Sequence, residues 1–146
     1  MKYILEGEVR DSEVDLQGIV NNSNYFVYME HARHKYIKSL GIDFARLHND
    51  GFDLLLIHTE IDFKNPLKSG DEFVVTTTLK SNGRIRFDFA QEVIRKKDFK
   101  VAAVAINTGV CISVKTRRPV MPEIIKKLVE HEEGKTIFVS SGKVLK

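Results

Sequence analysis

An acid at Asp15, a glycine at Gly18 and an Asn-rich run, Asn21-Asn22-Ser23-Asn24, fall within ten residues, just ahead of a strongly apolar segment that starts at Tyr25. A carboxylate held beside the start of a buried helix has a chemical use. The free N–H groups of a first helical turn, with a dipole of roughly half a positive charge, lie where an oxyanion could form. The carboxylate could attack a carbonyl itself or deprotonate a water that does so. The chemistry indicated is attack on an activated acyl group. A plainer reading uses the same residues: Asp15 shapes the loop as an Asx-turn residue, and Asn22 is a helix entry whose amide is solvated.

Two elements must position this stretch. Tyr3 to Arg10 alternates as a strand. From Asn24 the spacing turns helical: Tyr25, Met29, Ala32, Tyr36 and Leu40 recur at steps of three and four. Ser23 or Asn24 is expected as N-cap, and Gly41 as the C′ residue. The stripe is broad and aromatic, which predicts an enclosed helix. Ile42 to Asp50 reads as a short second helix ending at Gly51.

The chain then becomes β-rich. Phe52 to Lys64 reads as a strand, and Phe73, Val75, Thr77 and Leu79 alternate in the next. Asn82-Gly83 signals a two-residue hairpin, after which Ile85, Phe87, Phe89 and Gln91 continue the alternation. Phe99 to Lys115 forms the longest strand. One face carries Ala103, Ala105, Asn107, Gly109 and Cys111, a small-residue surface that lets another backbone approach. Pro119 is expected to end the strand, and Pro122 to open a one-sided surface helix running to about Glu133. Ile137, Phe138 and Val139 could add a short strand. The whole reads as one α+β domain over residues 1–146: an antiparallel sheet of about five strands wrapped round one long helix. Such a sheet leaves edges that pair with a second subunit, so a homodimer is expected, assembling further to a homotetramer.

Composition sets outer limits. The chain has 146 residues, 42% hydrophobic and 29% charged, which suits one globular domain. A net charge of +3, with both signs interspersed, argues against a nucleic-acid partner. The basic cluster Lys115-Thr116-Arg117-Arg118 suits an anionic small molecule. A single cysteine, Cys111, excludes an intrachain disulfide and a multi-thiolate metal site. His31 and His34 sit one helical turn apart without a third ligand nearby, so no metal is expected. No segment reads as a leader or a membrane span, and the expected location is the cytoplasm.

Three blocks in order carry a family resemblance. The first is Asp15-Leu16-Gln17-Gly18-Ile19-Val20-Asn21-Asn22 followed by Tyr25, Tyr28, Glu30 and Arg33. The second is Ile61-Asp62-Phe63 with Pro66 and Gly70-Asp71; the third is Thr116-Arg117-Arg118-Pro119-Val120. The chain resembles the hotdog-fold acyl-CoA thioesterases of the 4-hydroxybenzoyl-CoA thioesterase type, including their Tol-Pal-associated branch. The resemblance implies thioester hydrolysis at a site shared across a dimer interface. It places the essential carboxylate at Asp15, the polarising amide near Asn22 and an acidic helix position at Glu30. Tyr25 belongs to the same motif and is a candidate for substrate contact. His58 and Glu60 would share a strand face with Leu56 and border an acyl pocket. Arg84, Arg86, Lys115, Arg117 and Arg118 are candidates for the phosphates of coenzyme A, because guanidinium groups suit bidentate phosphate contacts. Coenzyme A is then part of the substrate, and no separate cofactor is expected. The rival readings are a non-catalytic protein binding acyl-CoA or acyl carrier protein, and a hotdog dehydratase, which would need a histidine poised with the carboxylate.

Overall fold

The computed structural model of the chain describes residues 2–140. Strand β1 (Tyr3–Glu8) leads through a 3-10 turn (Asp11–Glu13) and a loop into helix α1 (Asn22–Ser39). The N-cap is Asn21, earlier than expected, and its Oδ1 accepts from Ser23 N at 3.0 Å. Asn21 keeps an extended backbone (φ −64°, ψ 139°), which lets its short side chain reach the second N–H of the helix. Such a cap is worth about 1 kcal/mol. Gly41 ends the helix with φ 91°, as its sequence position implied. Helix α2 (Phe44–Asn49) is capped by Asp43 and closes at Gly51.

The sheet contains β2 (Phe52–Phe63), β3 (Glu72–Asn82), β4 (Arg86–Arg95), β5 (Val101–Ser113) and the two-residue β6 (Pro119–Val120). Every pairing is antiparallel, in the order β1-β3-β4-β5-β2. Pro119 was expected only as a terminator. Instead it opens β6, which pairs with β5 (Ile112↔Pro119) just past the end of β4; a first strand position tolerates the missing N–H. The β3–β4 hairpin turns on three residues, Gly83 to Ile85, with Gly83 at φ 75°.

Helix α1 lies on one face of this sheet, and Met29 and Ala32 are fully buried. Tyr28 stacks on Phe73 with ring centroids 4.5 Å apart, and Tyr36 meets Tyr3 at 5.3 Å. The small-residue face of β5 faces α1: Ala103 and Ala105 join the core around Tyr25 and Met29. A Cβ at Gly109 would sit 2.7 Å from the Phe87 ring and 3.2 Å from the Leu55 carbonyl, so this position cannot carry a side chain without displacement. This is the hotdog arrangement. Helix α3 (Glu123–Ser140) covers the far end of α1 through Ile125 and Val129, and the Tyr36 hydroxyl donates to Glu132 at 2.5 Å. Residues 137–139 are helical, not a strand. Extending an existing helix adds one backbone hydrogen bond per residue, whereas a lone strand needs an edge to pair with. The remaining tail, residues 141–146, lies outside the described residues.

Candidate active site

The Asp15 loop is closed by backbone bonds. Val14 bridges Val20, Ile19 bridges Lys68, and Val20 N donates to Leu67 O at 2.8 Å. Asp15 N donates to Ile19 O at 2.9 Å, and Gly18 turns the chain with φ 81°. The Asp15 side chain shapes this turn: its Oδ1 accepts from Gln17 N at 2.8 Å and from Ile19 N at 3.5 Å. The second oxygen, Oδ2, has no partner among the described residues, and the residue is exposed in the single chain. One carboxylate therefore fills the structural role and keeps an oxygen free for chemistry.

The start of α1 is fastened to the same loop. Glu13 O accepts both Asn21 N at 3.0 Å and Asn24 Nδ2 at 2.9 Å. The Glu13 carboxylate accepts from Arg10 N at 2.9 Å and from the Tyr28 hydroxyl at 2.8 Å. Burial, then the Glu13 contact, raises the Tyr28 phenol well above its ordinary range, so it stays a donor. Ser23 N is taken by the cap and Asn24 N by Asn21 O, leaving the exposed Asn22 with an N–H that has no acceptor among the described residues. Glu13 was not found from sequence. Its main partner is 15 residues away, and no local spacing marks it.

Tyr25 packs into the core below this loop, 3% exposed, with its ring 5.4 Å from Phe63. Burial raises its phenol as well. Glu30 lies on the open flank of α1. With Arg33, His34, Phe44, Leu54 and Phe89 it borders a cleft of about 180 Å³ between α1 and the β2 side of the sheet. Two buried amides, Gln91 and Asn107, lie between α1 and the sheet. Gln91 Nε2 donates to Met29 O and to Thr77 Oγ1, both at 3.0 Å, and Asn107 Nδ2 donates to Gln91 Oε1 at 2.8 Å. Arg33 Nη1 donates to the same Gln91 oxygen at 3.1 Å. Polar residues at positions 91 and 107 of otherwise apolar alternating faces were the available signal for this network.

His58 and Glu60 do not share a face with Leu56. A bulge in β2 pairs Leu56 with Gly109 but His58 with Thr108, so Ile57 is an extra residue and the alternation reverses there. His58 and Glu60 sit on the sheet face away from α1, joined to each other at 3.2 Å. The five cationic candidates are all exposed. Arg84 and Arg86 belong to the β3–β4 hairpin, and Lys115, Arg117 and Arg118 to the turn between β5 and β6. Both turns are at the end of the sheet where α1 finishes. Strand β3 separates them from Asp15: Phe73, under Tyr28, and Asn82, opposite Arg86, are nine residues apart. At about 3.3 Å per residue that is roughly 30 Å. A single chain does not bring the carboxylate and the cations together. Among the described residues no three His, Cys, Asp or Glu side chains are grouped to hold a metal ion, and no helix is long and apolar enough to cross a membrane.

Comparison with known proteins bears on the family and the fold. Residues 9–129 match the model of the thioesterase-like superfamily. A protein of Aquifex aeolicus (strain VF5) is 34% identical over 112 residues, covering 77% of this chain and 85% of the relative. The chloroplastic acyl-acyl carrier protein thioesterase ATL2 of Arabidopsis thaliana is 32% identical over 127 residues, 87% of this chain and 68% of that protein. Among solved structures, Slr0204, a 1,4-dihydroxy-2-naphthoyl-CoA thioesterase from Synechocystis, superposes with a TM-score of 0.83 at 21% identity, covering 91% of this chain and 98% of that one; this shows the shared fold. The chain belongs to the thioesterase-like superfamily and is a hotdog thioester hydrolase.

Proposed function

We propose that the protein hydrolyses acyl-CoA to a free carboxylic acid and coenzyme A, using Asp15 and the Asn22 amide. The observation that carries this reading is an Asp15 Oδ2 and an Asn22 N–H, both without a partner among the described residues, on a loop tied directly to a helix start. The Asn22 amide polarises the thioester oxygen, a contact worth about 3 kcal/mol when aimed at the developing charge. Asp15 either adds to the carbonyl, expelling the thiolate to leave an anhydride that water cleaves, or takes a proton from the water that adds directly. Either route breaks the C–S bond, and the thiolate leaves as the protonated thiol. The apolar cleft suits an apolar acyl group, with Glu30 at its border. Membership of the 4-hydroxybenzoyl-CoA thioesterase type, and of its Tol-Pal-associated branch, rests on the ordered motifs alone.

Two chains complete this site. Pairing the free edges of two β2 strands about a two-fold axis runs them antiparallel. The Asp15 end of one subunit then lies beside the cationic end of the other, where Arg84, Arg86, Lys115, Arg117 and Arg118 can meet the phosphates of coenzyme A. The β2 edge exposes Leu55, Leu56 and Ile57 at 42%, 46% and 46%, apolar area that pairing would cover. The functional unit is thus a homodimer, further assembled to a homotetramer, acting in the cytoplasm with no cofactor beyond the coenzyme A of its substrate.

The test is a panel of acyl-CoA thioesters with free thiol detected, on wild type and Asp15→Asn. Turnover should fall by at least about a hundredfold in the variant, the lower range for an acid–base group. Near-normal turnover by Asp15→Asn would overturn its role. Binding without thiol release by wild type would make the protein an acyl-CoA binder instead.

A further inference from the structure

The two most exposed large apolar side chains among the described residues lie at the same end of the sheet as Asp15. Leu16, beside Asp15 in its turn, is fully exposed, and Phe99, in the turn between β4 and β5, is 82% exposed. Segment 64–71 joins the two turns. Its Lys68 bridges Ile19 on one side, and on the other Asn65 Nδ2 donates to Val101 O at 2.8 Å. Phe99 also has φ 57°, left-handed backbone that a bulky residue rarely takes and that Gly or Asn accepts at less cost. No ring contact among the described residues offsets this. The turn is firmly held all the same. Arg95 N donates to Lys100 O at 2.9 Å, Arg95 Nε and Nη2 donate to Asp98 at 2.9 and 2.8 Å, and Arg95 Nη1 donates to Pro66 O at 2.5 Å. Strain kept in a braced turn, for a ring that packs on nothing, points to a use outside the chain. Charge surrounds these tips. Segment 64–71 and the turn 95–100 carry six cations, Lys64, Lys68, Arg95, Lys96, Lys97 and Lys100, against two carboxylates, Asp71 and Asp98. Arg95 pairs with Asp98, Lys96 with Glu6 and Lys97 with Asp71, whereas the exposed Lys64 and Lys68 form no ion pair among the described residues.

We propose that this end of the sheet docks peripherally on an anionic lipid bilayer, with Phe99 and Leu16 entering the headgroup region and the lysines around them facing lipid phosphates. A protein interface surrounds its apolar centre with a closely packed polar rim. Side chains that protrude singly from two turns have no such rim. A bilayer needs none, because it deforms around each tip. Interfacial anchors combine apolar tips with Lys or Arg in this way, and each cation close to an anionic leaflet adds attraction. The surface goes beyond the hydrolase reading, and it sets the Asp15 loop against the phase in which apolar acyl chains dissolve. In the proposed dimer the two copies of this surface lie at opposite ends, so one subunit docks at a time.

Co-sedimentation with vesicles tests this, comparing phosphatidylcholine alone with equal parts phosphatidylcholine and phosphatidylglycerol. Wild type should bind the anionic vesicles at least about tenfold more tightly. Raising salt from ~0.1 M to ~1 M, which shortens the screening length from about 10 Å to about 3 Å, should remove that preference. Phe99→Asn should weaken vesicle binding by about tenfold. Its thermal midpoint should hold or rise, because Asn accepts the left-handed backbone, so the lost binding is not unfolding. Lys64→Glu/Lys100→Glu should abolish the preference for anionic vesicles. Arg117→Ala/Arg118→Ala, at the opposite end of the sheet, should bind as wild type does. The proposal is overturned if wild type stays in the supernatant, if Phe99→Asn binds unchanged, or if the Arg117→Ala/Arg118→Ala variant loses binding as strongly as Lys64→Glu/Lys100→Glu. Phe99→Asn that binds vesicles normally but loses oligomer mass would make Phe99 a subunit contact instead. Thiol release is not read at any step, so the outcome stands apart from the hydrolase reading.

Discussion

The two ends of the sheet are built on different physical terms. At the Asp15 end, backbone and side-chain bonds converge on one turn: Glu13 O takes Asn21 N and Asn24 Nδ2, Glu13 takes Tyr28, and Val20 is tied to Leu67. At the other end, five exposed cations on two turns have no carboxylate partner among the described residues. Chemistry needs groups held to fractions of an ångström, because a small misplacement forfeits rate. Capture of a flexible polyanion does not; long, hydrated side chains serve it well, and their effect is screened by salt. The ordered Asp15 loop and the five candidate cations are thus segregated along one strand length, and the proposed dimer would reunite them.

The contrast can be broken at its rigid end first. Asn24→Ala deletes one tie between α1 and the turn without touching Asp15 or the Asn22 amide. Expected is a loss of about tenfold in kcat with KM nearly unchanged, since the defect is one of aim. Stability should drop by about 1 kcal/mol for the lost hydrogen bond. An unchanged kcat would mean that Glu13 O holds α1 through Asn21 alone. At the charged end the pattern should reverse. The double variant Arg117→Ala/Arg118→Ala should raise KM for acyl-CoA by about fivefold, leave kcat alone, and flatten the dependence of kcat/KM on ionic strength. A kcat effect there would show that these residues position the reacting group.

The smallest effect concerns Cys111, buried at the charged end opposite Val120 and Leu54. Burial first, and the Asp53 carboxylate second, push its thiol up to about 11. A folded pKa above the unfolded value stabilises the fold fully below the unfolded pKa, and that contribution is lost as pH rises through the folded one. Between pH of about 9 and 11 the thermal midpoint of wild type should therefore fall more than that of Cys111→Ala. Equal slopes would mean that the thiolate is accommodated without opening this end.

Local signals were legible where local forces decide. Gly41 and Gly51 ended their helices, the alternation of β3 and β4 was correct, and the small-residue face of β5 did turn toward α1. The cap was misplaced by two or three residues because four consecutive Asn and Ser residues are all competent caps; the loop geometry chose Asn21. The bulge at Ile57 left no mark in sequence, and it moved His58 and Glu60 to the other face. At the site, Asp15 and Asn22 stood out through the motif, whereas Glu13 did not, since its partner Tyr28 is far along the chain.

By itself the sequence determined the long central helix, the main strands and that a carboxylate precedes the helix, because periodicity, caps and turns act over a few residues. Only the tertiary structure decided which Asp15 oxygen is bonded in the turn, that the Arg33 guanidinium is partly buried against Gln91, and that the five candidate cations lie a full strand away. These depend on register and on groups brought together from distant positions, where a shift of one residue reverses every face.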